Sequence, residues 1–109
     1  MAEAVSTDKA TEVLKVKITA SSSATKGAIT VKWTIKGSKS ACKGFQIWRS
    51  TKKNTGFKHM FTTSKYSYKN TKGLKKGVRY YYKVRAYNRT EDGKLVFSDW
   101  SNKAYRIAK

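Results

Sequence analysis

The sequence predicts an all-β chain folded as a seven-stranded antiparallel β-sandwich, and three observations carry that expectation. Apolar residues recur at every second position in short runs. Clusters of Gly, Ser, Asn, Asp and Lys separate the runs at short intervals, and no window sustains a helical period. With 109 residues, the chain has room for one domain with one hydrophobic core.

Residues 1–12, MAEAVSTDKATE, are polar and aperiodic and read as a flexible leader or linker, leaving 13–109 as the sandwich. In the first strand Leu14, Val16 and Ile18 alternate with Lys15, Lys17 and Thr19, and SSSATKG ends it. The second alternates Ile29, Val31, Trp33 and Ile35 with Thr30, Lys32 and Thr34. The third is FQIWRS at 45–50, with Phe45 and Ile47 on one face and Gln46 and Trp48 on the other. KNTG at 53–56 has turn chemistry, FKHMF at 57–61 is the fourth strand, and Tyr66 and Tyr68 mark the fifth. The sixth lies in GVRYYYKVRAY at 77–87. Asp92-Gly93 then signals a hairpin into LVFSDWSNKAYRIA at 95–108 as the seventh.

The sixth strand has two unlike faces. Tyr80, Tyr82, Val84 and Ala86 form one side and read as core, while Arg79, Tyr81, Lys83, Arg85 and Tyr87 form the other. With Trp48 from the third strand, the outward residues Tyr81, Lys83, Arg85 and Tyr87 make the candidate ligand-binding face. Such a face can serve as a platform that stacks rings and pairs cations with a polyanion or sugar. It can equally be a cross-strand ladder that stabilises the sheet by about 0.2 to 1 kcal/mol per neighbouring pair.

The formal net charge is +19, from 25 Lys and Arg against 6 Asp and Glu. Val13 through Thr90 contain no acid at all; the acids are Glu3, Asp8 and Glu12 before that stretch and Glu91, Asp92 and Asp99 after it. A field of this sign favours anionic polysaccharide, cell-wall polymer or, without sequence preference, nucleic acid. Catalysis and metal binding have little to draw on. The single histidine, His59, has no acid near it in sequence to orient it, and one His with one Cys, Cys42, falls short of a zinc ligand set. No Gly-rich phosphate loop is present, so no cofactor is implied. Cys42 has no partner for an internal disulfide and reads as a loop residue. No apolar run approaches the length of a membrane span, and no charged-then-apolar leader opens the chain.

From about residue 11 to 109 the sequence resembles a fibronectin type III domain. Trp33 stands where that family has its second-strand tryptophan, and GFQIWRS resembles its third-strand motif. Leu74, Gly77 and Tyr80 resemble the leucine and tyrosine corner that opens the sixth strand, and YYYKVRAYN resembles that strand itself. FQIWRSTKKNTGF and YYYKVRAYNRTEDGKLVFSDWSN look most like modules of Gram-positive surface and secreted proteins. The resemblance implies an immunoglobulin-like sandwich in which the Tyr80 hydroxyl reaches backbone near Leu74. Phe97-Ser98-Asp99-Trp100-Ser101 also resembles the W-S-x-W-S box of cytokine-receptor modules, with Phe97 in place of the first tryptophan. That likeness implies that Trp100 and Phe97 interleave with Arg85 and Lys83.

The function this implies is non-enzymatic: a monomeric module of a bacterial surface or secreted protein, extracellular or on the cell surface, serving as a spacer, adhesion or interaction unit beside other domains. The alternative is a polyanion- or carbohydrate-binding module that uses its basic, aromatic surface.

Overall fold

The computed structural model describes residues 9–109, which form a three-stranded sheet packed on a five-stranded one. Strands β1 (Lys17–Thr25), β2 (Ala28–Lys36) and β5 (Ser67–Asn70) make the first, in the order β1-β2-β5. Strands β3 (Gly44–Ser50), β4 (Lys58–Thr63), β6 (Arg79–Arg89), β7 (Leu95–Phe97) and β8 (Ala104–Ile107) make the second. Here β3 and β6 are central, β4 is one edge, and β7 and β8 share the other, each pairing with a different end of β6.

The expected all-β sandwich is therefore found, with eight strands among the described residues where the sequence predicts seven. The difference lies wholly in the last segment. LVFSDWSNKAYRIA splits into β7 and β8 because residues 98–103 leave the ladder yet still serve β6. Ser98 and Ser101 bond to it in the same way: Ala86 N donates to Ser98 Oγ at 2.9 Å, and Val84 N donates to Ser101 Oγ at 3.0 Å. In return Ser98 N donates to the Ala86 carbonyl at 3.0 Å and Ser101 N to the Val84 carbonyl at 2.8 Å. Two buried serines thus replace strand backbone as acceptors, meeting the demand that buried amides be paired.

The beginning of the chain also differs from expectation. Lys9–Lys15 is a 3-10 turn, not the start of a strand. Val13 and Ala10 are buried beneath it while Leu14 is exposed. A 3-10 turn brings residues three apart to one side, so the packed set is Ala10, Val13 and Val16 instead of the alternating Leu14 and Val16. The packed body thus reaches back to Ala10, three residues before the expected boundary at 13; residues 1–8 of the expected leader lie outside the described residues. Strand β1 also runs through SSSAT as far as Thr25, because Ser21 to Thr25 pair in register with β2 and only Lys26-Gly27 turns. Gly27 has φ +81°, the left-handed region that a tight turn demands.

The core follows the alternation read from the sequence. Ile29, Val31, Ile47, Tyr82, Val84 and Ala86 are fully buried, joined by Trp33, Phe45 and Tyr80. Each large apolar side chain so placed contributes about 1.5–3 kcal/mol. At the tyrosine corner Lys75 N donates to Tyr80 Oη at 2.7 Å, and that hydroxyl donates to the Gly73 carbonyl at 3.3 Å, one residue to either side of Leu74. The deepest polar group is Tyr82, whose Oη donates to Asn70 Oδ1 at 2.6 Å. Arg49, at the inner end of β3, donates to the same oxygen at 2.9 Å and lies 4.9 Å over the Tyr80 ring. Burial pushes the Tyr82 phenol far above its usual range, although Arg49 pulls the other way.

Candidate functional site

The outward residues of β6 fall at alternate positions, but their neighbours divide them into three groups. In the centre, Lys83 stands opposite Trp48 of β3 and Arg85 opposite Gln46. The Arg85 guanidinium lies 3.7 Å from the Phe97 ring centre, 4.4 Å from Trp100 and 5.5 Å from Trp48. Its Nε donates to Gln46 Oε1 at 3.0 Å, and Trp48 Nε1 donates to the same oxygen at 3.2 Å. Lys83 Nζ sits 4.1 Å over Trp100 and 4.5 Å over Phe57. Trp48 meets Trp100 edge-on at 5.7 Å and His59 edge-on at 5.8 Å.

The result is a ladder of alternating rings and cations across the outer face, including the interleaving of Trp100 and Phe97 with Arg85 and Lys83 that the five-residue box implies. Exposed contacts of this kind stabilise by about 0.5–1 kcal/mol each. Desolvation lowers the Arg85 pKa, and desolvation together with Lys103 and Arg85 lowers that of Lys83. His59 joins the ladder through a register shift in the β3–β4 pairing. Ile47 faces Phe61 but Trp48 faces His59, so Met60 is left without a ladder partner.

The two ends of the face go elsewhere. Tyr81 pairs with Tyr105 of β8, their rings 5.6 Å apart, and the Arg79 guanidinium lies 5.3 Å over the Tyr105 ring. Tyr87 lies over Gly44, its partner in register: a Cβ added at Gly44 would stand 2.8 Å from the Tyr87 ring. Of the five residues expected to form one site, Trp48, Lys83 and Arg85 meet, while Tyr81 and Tyr87 belong to separate contacts. Trp100, Phe97, Phe57, Gln46 and His59 complete the central group. Phe97 and Trp100 were legible from their box, but Phe57 arrives on a loop whose path no local pattern sets. Gly44 opposite Tyr87 is visible only once the register is known.

The His59 Nε2 lies within hydrogen-bond distance, 2.8 Å, of Thr62 Oγ1. No group of three or more His, Cys, Asp or Glu gathers to hold a metal among the described residues. Cys42 follows the short 3-10 turn Lys39–Ala41, and burial raises its thiol pKa. No helix among the described residues is long and apolar enough to cross a membrane.

The paired sheets, the tyrosine corner and the serine-bonded segment beside β6 define a sandwich module of the immunoglobulin-like class. Comparison with solved structures specifies it further. An Fn3-like protein from Clostridium thermocellum superposes with a TM-score of 0.62 at 22% identity, over 84% of this chain and 88% of that one. A fibronectin type III domain of a human protein gives 0.60 at 19% identity, over 83% and 84%. A pectate lyase from Pectobacterium carotovorum gives 0.66 at 13% identity over 84% of this chain but 26% of the lyase. No protein-family model and no curated protein matches the sequence. The chain has the fibronectin type III fold.

Proposed function

We propose that this chain is a non-catalytic fibronectin type III module of a bacterial surface or secreted protein, acting as a spacer and adhesion or interaction unit beside other domains. The observation that carries this reading is modularity. The same fold spans most of the Clostridium thermocellum protein and about a quarter of the pectate lyase, so it serves both as nearly a whole chain and as one part of a larger one. The ladder supports the reading too, since its cations are engaged by the rings beside them. Two measurements test it. The purified chain, incubated with pectate and other polysaccharides, is expected to release no product; turnover that disappears in His59→Ala or Cys42→Ala overturns the non-catalytic reading. Fractionation of the producing cells is expected to find the parent protein outside the cytoplasm.

A second reading, binding of a polyanion or carbohydrate, is favoured by the acid-free stretch from Val13 to Thr90. It predicts retention on immobilised heparin, weakening as salt rises.

A further inference from the structure

Cations without a neighbouring carboxylate line one end of the sandwich. The Lys26-Gly27 turn and the loops 51–57 and 71–78 meet there, and β8 runs out to the same end. Gly27 N donates to the Lys109 carbonyl at 3.2 Å, Gly77 N to the Ala108 carbonyl at 2.9 Å, and Ala108 N to the Val78 carbonyl at 2.9 Å. These bonds seat residues 108 and 109 between the first turn and the 71–78 loop. Two concavities lie on either side of them and meet at Lys109. One, of about 530 Å³, is lined by Arg79, Arg106 and Lys109 with Tyr105 and Ser23. The other, of about 610 Å³, is lined by Lys26, Lys76, Gly77 and Lys109.

The described acids lie elsewhere. Glu91 and Asp92 are in the β6–β7 turn at the opposite end, where Glu12 also lies, and Asp99 pairs with Lys17 at 3.6 Å. None of the five cations lining the two concavities has a carboxylate partner among the described residues.

We propose that these two adjoining cationic concavities, from Arg79 and Arg106 across Lys109 to Lys26 and Lys76, together form a groove that is the docking site for a single chain of anionic polysaccharide. The proposal rests on the second reading above and gives it a location away from the aromatic ladder. Charge complementarity carries it. An anionic chain laid along these cations gains their attraction and releases its counterions. Arg106 is tethered through its Nε to the Ser22 carbonyl at 2.8 Å and Arg79 lies over the Tyr105 ring, so each has its Nη pair to offer to carboxylate or sulfate, and the lysines add point charges. Single-stranded nucleic acid fits less well. It draws much of its affinity from bases stacked on open aromatic faces, and Tyr105, the aromatic residue of the groove, is covered by Arg79 and leans on Tyr81.

The test compares two variants of equal charge. In K26Q/K76Q/K109Q the groove loses three exposed lysines; in K36Q/K43Q/K65Q the opposite end loses three. Both are first shown by circular dichroism to fold as the parent does. Binding of heparin, polygalacturonate and a single-stranded DNA of matched charge is then measured from low to physiological salt. The groove variant is expected to bind heparin about tenfold more weakly, with a log–log salt dependence shallower by roughly 2 to 3 units. The opposite-end variant is expected to stay within about twofold of the parent, because screened charges at a distance contribute little. Polygalacturonate reports whether carboxylates alone suffice or sulfates are needed. Equal weakening in both variants, no weakening in the groove variant, or tighter binding of DNA than of heparin overturns the assignment while leaving polyanion binding intact. No binding by the parent protein to any of the three overturns polyanion binding itself.

Discussion

The outer face of β6 and the turn-bearing end of the sandwich are built from the same basic residue types, yet the cations of the face and the lysines of the end have opposite fates. On the face, Arg85 and Lys83 are laid against Phe97, Trp100, Trp48 and Phe57, and Gln46 bonds to both Arg85 and Trp48. At the end, Lys26, Lys76 and Lys109 are exposed around a groove. Positive charge that is half-buried among rings stabilises the sheet, whereas charge held in water is available to a partner at some cost to the fold. A basic, aromatic strand is therefore a poor guide to a binding site by itself. What matters is whether its neighbours have already taken up the cation.

Stability measurements can break this contrast. Arg85→Ala removes a guanidinium that touches three rings, and urea unfolding is expected to show a loss of about 2–3 kcal/mol, since buried stem packing goes with the charge. The groove variant K26Q/K76Q/K109Q is expected to move stability by no more than about 0.5 kcal/mol, in either direction. Equal losses would mean that the ladder cations are no more committed than the groove lysines.

Gly44→Ala sharpens the same point for Tyr87. The added methyl meets the far end of the Tyr87 ring, a half-exposed side chain that can swing aside, so the cost is expected to stay below about 1 kcal/mol. Tyr87→Ser in the Gly44→Ala background should recover part of that loss in the same unfolding assay. A double-mutant cycle of Arg85→Ala with Trp100→Ala is expected to give a coupling of about 0.5–1 kcal/mol that persists in high salt. Heparin binding, in contrast, should fade steeply under the same conditions.

Tyr82 shows its effect on stability only at alkaline pH. Its folded pKa is raised above the ordinary value near 10, so the unfolded chain loses that proton first. The stability this group contributes is complete below about pH 10 and declines as pH rises from there toward the folded value. Spectrophotometric titration should find one tyrosine that ionises only as the domain unfolds. Tyr82→Phe should remove that step while leaving the ladder and the groove unaffected.

Much of this architecture was legible in the sequence. The inward row Tyr80, Tyr82, Val84 and Ala86 is buried as its alternation predicts, because a pleated strand leaves side chains no other choice of face. The tyrosine corner and the Phe97-to-Ser101 box were readable from short motifs whose partners lie close in the strand register. Leu14 was misread because a 3-10 turn and a strand both place Val16 inward and differ only at the neighbouring positions. The split of the last segment into β7 and β8 was hidden for a related reason: Ser98 and Ser101 look like loop residues until their hydroxyls are seen accepting from β6.

The sequence by itself determined which residues could enter a core and how much unbalanced positive charge the chain would carry, because period and composition are properties of the chain alone. Only the tertiary structure decided where that charge became free. The register of β3 on β6, the path of Phe57 and the seating of residues 108 and 109 between two turns are set by pairings distant in sequence. Those pairings surround some cations with rings and leave the groove lysines in water.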